Sequence, residues 1–266
     1  TFVLERLVEV ASRELGIDPA SFRRRNYIRK FPHQTPVIMT YDIGDYHATL
    51  QKALELADYK NFGRRKRESA RRGKLRGIGF SSYIEACGLA PSQAVGSLGA
   101  GVGLWESAEI RVNPTGSVEV LTGSHSHGQG HETTFAQILA HHLQIPFEHI
   151  VVRHGDTHVG PPGVGTFGSR STVLGGTALV QAAQQVVEKA KRIAASLLEA
   201  SPDDVELREG TFRVAGVAGR TVTWAQGAAA AYGRGKLPPG ETLGLEASAY
   251  YNAPRQPFGF GAAVAV

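Results

Sequence analysis

Apolar residues recur with helical spacing in several stretches of the chain and alternate with polar ones in others. Leu4, Leu7, Val8, Ala11 and Leu15 share one face of a helix over 2–15, which Gly16 stops. Asp18-Pro19 starts a short helix through Arg25, with aspartate as N-cap and proline in the first turn. Residues 26–44, holding Pro32 and Pro36, read as irregular; Asp45 caps a helix near 46–58, and a basic helix follows. Strand character begins at Leu75. Ile78–Ala86 leads to a glycine-rich loop from Gly88 to Gly103, and Trp105–Val112, the turn Asn113-Pro114-Thr115-Gly116 and Ser117–Leu121 form a hairpin. A helix over 131–143, a strand near His149–Arg153 and a long helix to about Ala200 come next. The buried stripe of the long helix is Leu179, Ala183, Val186, Val187, Ala190, Ile193, Ala194 and Leu197. Short strands at Val205–Leu207, Thr211–Val214 and Thr221–Val222, a helix over 224–232, and strand-like pieces Leu243–Tyr251 and Phe258–Val266 complete the pattern.

Helices and strands mix without a strict β-α-β rhythm, so the expected class is α+β, with mixed sheets and packed helices. The chain divides into a mainly helical leader (1–74), a core (75–200) and a tail of short strands with one helix (201–266), read as parts of one domain.

Two polar glycine-rich segments interrupt this pattern, each running straight into a helix. They are His127-Gly128-Gln129-Gly130-His131-Glu132-Thr133-Thr134 and Gly163-Val164-Gly165-Thr166-Phe167-Gly168-Ser169-Arg170-Ser171-Thr172. A glycine loop feeding a helix start aims unpaired N–H groups at one point, at the positive end of the helix dipole. Such places bind anions, phosphate above all. Two of them suggest a large ligand with a phosphate portion and a reactive head. Gln129, between two glycines, can approach such a ligand closely and donate its amide to an oxo or carbonyl oxygen; a satisfied loop glutamine is the plain alternative. Ser169, Ser171 and Thr172 either cap the helix or bind phosphate.

Other chemistries fit less well. Gly163 to Gly168 matches GxGxxG, but Pro161-Pro162 separates it from the preceding strand and Glu188 lies mid-helix, which argues against a nicotinamide fold. Eight histidines, among them His125, His127, His131 and His154, crowd one stretch and raise the idea of a hydrolytic zinc site. No aspartate or cysteine stands at ligand spacing, so neither near-stoichiometric zinc nor loss of stability on chelation is expected. Glu85 and Cys87 end an apolar strand; Glu85 is either a buried carboxylate or an ordinary strand-end one.

Composition narrows the setting. The 266 residues carry a net charge of +5, much of it from Arg64 to Arg67 and Arg71 to Arg76, without the interleaved aromatics of a nucleic-acid reader. One cysteine excludes an internal disulfide and fits a reducing, cytoplasmic compartment. No apolar run reaches the roughly 20 residues of a membrane span. The first residue is Thr1 and the only methionine is Met39, so an internal fragment or processed product is expected.

Taken together, the two glycine motifs resemble the molybdenum-binding large subunit of the molybdenum hydroxylase (xanthine dehydrogenase) family, most of all its aerobic carbon monoxide dehydrogenase type. Leu15-Gly16-Ile17-Asp18-Pro19, Arg23-Arg24-Arg25-Asn26, Tyr41-Asp42-Ile43-Gly44-Asp45-Tyr46 and Tyr83-Ile84-Glu85-Ala86-Cys87-Gly88 with Pro91-Ser92 carry the resemblance further along the chain. It implies a molybdopterin cofactor with molybdenum, in its cytosine dinucleotide form. The implied contacts are Gly128, Gln129, Gly130 and His131, then Thr166, Phe167, Gly168, Ser169, Arg170, Ser171 and Thr172, with Gln129 near the metal's oxo group. Tyr83 and Glu85 would line the substrate pocket. The resemblance also implies oxidative hydroxylation of CO, an aldehyde or an N-heterocycle. An iron–sulfur small subunit and an FAD-binding medium subunit would carry the electrons, in a dimer of heterotrimers. The family's catalytic glutamate would lie beyond Val266 and its metal-side loop before Thr1, so no residue here is a metal ligand or the base, and the isolated chain is expected to be inactive. The alternatives are a non-catalytic cofactor cradle or degenerate paralogue, and a histidine-cluster zinc hydrolase.

Overall fold

Local signals place the element boundaries. Asp18 accepts a hydrogen bond from Ser21 N–H, Asp45 one from Ala48 N–H, and Thr223 with Gln226 closes a reciprocal capping box. In the computed structural model, which describes residues 1–266 except 38, 90, 97, 98, 100, 102 and 234–236, the chain opens with α1 (Phe2–Glu14), α2 (Pro19–Asn26) and two-residue strands β1 (His33–Gln34) and β2 (Thr40–Tyr41). Then come α3 (Tyr46–Leu56), α4 (Phe62–Arg71), β3 (Gly79–Ala86), α5 (Ser92–Gly96), β4 (Glu106–Val112) and β5 (Val118–Thr122). They are followed by α6 (His131–Leu143), β6 (Ile150–Arg153) and α7 (Gly176–Leu198). The last elements are β7 (Val205–Arg208), β8 (Thr211–Val214), β9 (Thr221–Thr223), α8 (Trp224–Tyr232), β10 (Glu246–Tyr251) and β11 (Phe258–Ala265). The mixture is α+β, as the pattern predicts. Of the loop expected from Gly88 to Gly103, positions 90, 97, 98, 100 and 102 lie outside the described residues, and α5 occupies part of the rest.

Two compact units share the chain: Thr1–Cys87 with Pro257–Val266, and Gly88–Gln256. In the first, β11 pairs antiparallel with β3, Phe258 opposite Ala86 and Ala265 opposite Gly79. Ala20, Leu50, Leu54 and Phe80 form its small core. Helix α1 is turned opposite to the expectation from its apolar face. Leu4, Leu7 and Leu15 stand 70%, 60% and 62% exposed, Val8 and Ala11 are half-buried, and Ser12 is fully buried. The reason is Arg23, buried on α2. Glu5 Oε2 accepts from its Nε and Nη2 at 2.8 and 2.6 Å, and Glu9 lies 3.6 Å away. A buried guanidinium left without carboxylates costs more than an apolar stripe facing water.

The second unit is built on a four-stranded sheet of order β10-β4-β5-β6. Strands β10, β4 and β5 pair antiparallel, whereas β5 and β6 are parallel, Val118 opposite Ile150 and Leu121 opposite Arg153. The expected hairpin is thus present, and α6 is the crossover to the parallel strand. Ile110, Val118 and Val120 of the sheet, Phe135, Leu139 and Leu143 of α6, and Leu179, Ala183, Val186, Ala190 and Ile193 of α7 form one continuous core. The expected stripe of α7 is buried, with Val187 and Leu197 at its margin. Trp224 and Phe212, edge to face at 4.8 Å, extend this core toward the sheet β7-β8-β9. No helix among the described residues is long and apolar enough to cross a membrane.

Candidate functional site: two loops at the ends of parallel strands

Because β5 and β6 run parallel, the segments that follow them leave the sheet at the same end. In α/β arrangements, the crevice outside the carboxyl ends of parallel strands is where ligands bind. The first glycine segment follows β5 and enters α6; the second follows β6 and enters α7. They touch. A methyl group on Gly123 would lie 2.5 Å from the Cα of Gly163, and one on Gly155 would lie 2.8 Å from Nδ1 of His125. Only glycine permits these approaches, and Gly155 also needs its φ of +78°.

A buried ion pair shapes the second loop. Glu106 and Arg170 are both fully enclosed and paired through Oε1 and Nη1. The same Glu106 oxygen accepts from the N–H groups of Val164 (3.1 Å) and Gly165 (2.8 Å). Arg170 also donates to Trp105 O at 2.9 Å and to Gly165 O, and its guanidinium lies 5.1 Å from the centre of the Phe167 ring. Two consequences follow. The amides of Val164 and Gly165, expected to face an anion, already have one in Glu106. Arg170, expected among the cofactor contacts, has its side chain turned into the protein, where it holds the loop's shape. Glu106 lies in phase with buried Ala108, Ile110 and Val112, and that was its only trace in the sequence.

The remaining loop residues face outward or line the rim. Phe167, Gly168, Ser169 and Thr172 are exposed, Thr166 is half-buried, and buried Ser171 donates its hydroxyl to Thr166 Oγ1 at 2.9 Å. Ser169 adopts φ +50°, a left-handed conformation that a non-glycine residue takes at a cost. Such strain concentrates at ligand-binding sites. The turn that follows, Ser171–Gly175, is a π-helical one, another feature common at functional sites. On the first loop, Gly130 is the left-handed N-cap of α6, whose start no side chain caps. Gln129 Oε1 accepts from His127 N–H at 2.6 Å, and its Nε2 lies 3.2 Å from Nε2 of His131. His131 is buried and stacked on Phe135 at 5.1 Å. Burial pushes its imidazole below the usual histidine range, and the nearby His154 adds to this. Its Nδ1 is buried without a protein partner.

A phosphate-bearing cofactor with a polar head fits these residues. Gly128, Gly130 and Gly165 have nothing within 4 Å of where a Cβ would stand, so the backbone is open to close approach on that side. Hydroxyls of Ser169 and Thr172, the Gln129 amide and the orphaned His131 Nδ1 supply neutral donors for an anionic or oxo-bearing group. Tyr83 and Glu85 belong to the other unit, on the exposed face of β3. Tyr83 lines a cavity of about 200 Å³ with Tyr27, Tyr41 and Tyr46. Glu85 is exposed, which corrects the option of a buried carboxylate: strand alternation turns it outward with Tyr83.

The histidine-rich stretch does not assemble a zinc cage. Among the described residues no three ligand-type side chains converge on one point. His125, His127 and His154 do lie together: the Nδ1 atoms of His125 and His154 are 3.1 Å apart, and Glu132 Oε1 is 2.7 Å from Nε2 of His154. Donation from its own backbone N–H, and then from His154, holds the Glu132 carboxyl below the usual carboxylate range.

Comparison with known proteins identifies the family. The model of the molybdopterin cofactor-binding domain family matches residues 52–266. The chain is 41% identical to the carbon monoxide dehydrogenase large chain of Hydrogenophaga pseudoflava, covering 98% of this chain and 32% of that protein. It is 35% identical to the nicotine 6-hydroxylase large subunit of Paenarthrobacter nicotinovorans, again over 98% of this chain and 32% of the relative. Among solved structures it superposes on a Cu,Mo-CO dehydrogenase with a TM-score of 0.83 at 39% identity, covering 98% of this chain and 33% of that one. Quinoline 2-oxidoreductase from Pseudomonas putida 86 gives the same TM-score of 0.83 at 35% identity, with the same 98% and 33% coverage. The chain thus spans about a third of the length of these relatives. The chain belongs to the molybdopterin cofactor-binding domain family.

Proposed function

We propose that this chain is the part of a molybdenum hydroxylase large subunit that holds the cofactor, serving the oxidative hydroxylation of CO, an aldehyde or an N-heterocycle. The observation that carries the reading is the pair of glycine loops leaving parallel β5 and β6 at one end of the sheet. When bound, the molybdopterin would supply two-electron redox chemistry at its metal. This chain's residues bind and orient it. Ser169 and Thr172, with Gly168 and Ser171, would hold the pterin and pyrophosphate, and Gln129 would donate its amide toward the metal end of the cofactor. His131 steadies Gln129 from behind, and the Glu106–Arg170 pair keeps the second loop in shape. Within the first unit, Tyr83 and Glu85 are the residues proposed for the substrate pocket. The relatives are named for CO, nicotine and quinoline, which favours the same range of small substrates here. The cytosine dinucleotide form of the cofactor, iron–sulfur and FAD-binding partner subunits in a dimer of heterotrimers, and a cytoplasmic location belong to the same proposal.

The test uses the full-length subunit that contains this segment. Ser169→Gly removes the hydroxyl while relieving the left-handed backbone, so stability is retained and cofactor retention falls. A lost charge-assisted hydrogen bond of about 1.5–3 kcal/mol corresponds to roughly 10- to 150-fold weaker retention. Gln129→Ala lowers turnover more than cofactor content, because a donor aimed at developing charge acts in the transition state. Wild-type cofactor content and turnover in both variants would refute the assignment.

A further inference from the structure

Two imidazole nitrogens facing each other at 3.1 Å need something positive between them, because their lone pairs otherwise repel. His125 Nδ1 and His154 Nδ1 stand in this relation. A proton on one of them is the simplest solution. Glu132 constrains the choice: its carboxylate, 2.7 Å from His154 Nε2, accepts a hydrogen bond from that nitrogen's N–H, so in the neutral ring the Nδ1 of His154 carries the lone pair that faces His125.

The same spacing suits a metal ion. Bonds of about 2.0–2.1 Å from imidazole nitrogens to one divalent ion put the nitrogens roughly 2.9 Å apart at a right angle and about 3.4 Å apart at the tetrahedral angle. The observed separation lies between these values. A carboxylate on the far nitrogen of a ligating histidine is also the recurrent outer partner of such sites, fixing tautomer and ring orientation. The His127 ring stands beside His125 at 5.2 Å between centres, against 5.1 Å between His125 and His154. The His125 ring reaches its place only because position 155 is glycine.

The geometry points to a solvent-completed divalent transition-metal site held by His125 and His154, with Glu132 as outer carboxylate. Imidazole donors select late first-row ions, Cu(II) most strongly and Zn(II) after it, over Mg(II) and Ca(II). With two protein ligands rather than the four of a structural zinc site, the ion exchanges and need not survive purification. The site does not depend on the cofactor reading, because none of its residues is among the proposed cofactor contacts.

The experiment titrates Cu(II) into the full chain and follows affinity by calorimetry and the number of coordinated nitrogens by electron paramagnetic resonance. The first equivalent should show imidazole nitrogens and should be displaced by excess Zn(II) but not by millimolar Mg(II). His154→Ala and His125→Asn should each weaken it at least tenfold, and Glu132→Gln by about 10- to 100-fold, as loss of an outer-shell partner does. His125 is exposed, so His125→Asn leaves the fold intact and tests the site even where His154→Ala does not fold. The neighbouring pair His141 and His142, with rings 5.3 Å apart, is the internal control. Loss of the first equivalent in His142→Ala, or wild-type affinity in His125→Asn, would overturn the proposal.

Discussion

Removing the Arg170 side chain should cost far more stability than a surface ion pair would, and the loss should depend on Glu106. Both groups are fully buried. Glu106 Oε1 also accepts from the Val164 and Gly165 N–H groups, while Glu106 Oε2 and Arg170 Nε have no hydrogen-bond partner among the described residues. In Arg170→Met the carboxylate stays buried with two neutral donors and no countercharge; breaking a buried pair in this way costs about 3–5 kcal/mol. Glu106→Gln leaves the guanidinium in the same position, with its hydrogen bonds to Trp105 O and Gly165 O, and should cost a similar amount. The double variant Glu106→Gln, Arg170→Met strands no charge, so its loss should fall short of the sum of the single losses by roughly 2 kcal/mol or more, within the range of coupled neighbours. Urea unfolding of the four proteins gives the cycle. Amide exchange at Val164 and Gly165 supplies a local readout, since both N–H groups should lose protection in Glu106→Ala, which removes their acceptor. Additive losses within about 0.5 kcal/mol, or unchanged exchange at these amides, would refute the view that the pair builds the loop.

Other consequences are simpler. Gly163→Ala should destabilise the protein by more than about 1 kcal/mol, because the new methyl meets the Gly123 backbone and Glu106 Oε2; a thermal melt checks it. Thr223→Ala should cost about 0.5–2 kcal/mol by removing the hydroxyl that caps α8 at Gln226 N–H, measured by urea unfolding. The imidazoles of His131 and His142 are held low, chiefly by burial. The native state therefore binds fewer protons than the unfolded chain, and their stabilising contribution is complete above about pH 6.5 and lost as pH falls through the folded values. A urea midpoint series from pH 8 to pH 5 should slope accordingly, and His131→Phe, which keeps the stack on Phe135, should flatten it.

The two glycine loops, the hairpin, α6 and the long α7 were legible because each rests on local chemistry: turn residues, caps and a repeating apolar stripe. Their relation was not. Nothing in residues 118–122 and 150–153 states that these strands run parallel and side by side, yet that pairing is what brings the loops together. Pairing of β3 with β11, some 180 residues apart, is equally invisible to a local reading. The apolar face of α1 misled for a definite reason. Periodicity identifies which face is apolar, not which face is buried, and the buried Arg23 drew Glu5 and Glu9 inward instead.

The expectation that backbone amides of both glycine segments cradle an anion holds only in a narrower form. A carboxylate from the neighbouring strand already occupies the amides of Val164 and Gly165. What is left for a ligand is the stretch from Thr166 to Thr172, whose shape that carboxylate and Arg170 fix, and the start of α6, which no side chain caps. The internal anion thus does for the loop what a bound phosphate does elsewhere: it collects the N–H groups and rigidifies the turn before any ligand arrives. A loop ordered in this way loses less conformational entropy on binding. On this argument the strained Ser169, immediately before the buried arginine, is held in its left-handed conformation by the ion pair, so the Glu106–Arg170 pair and the cofactor contacts proposed for Ser169 form one mechanical unit.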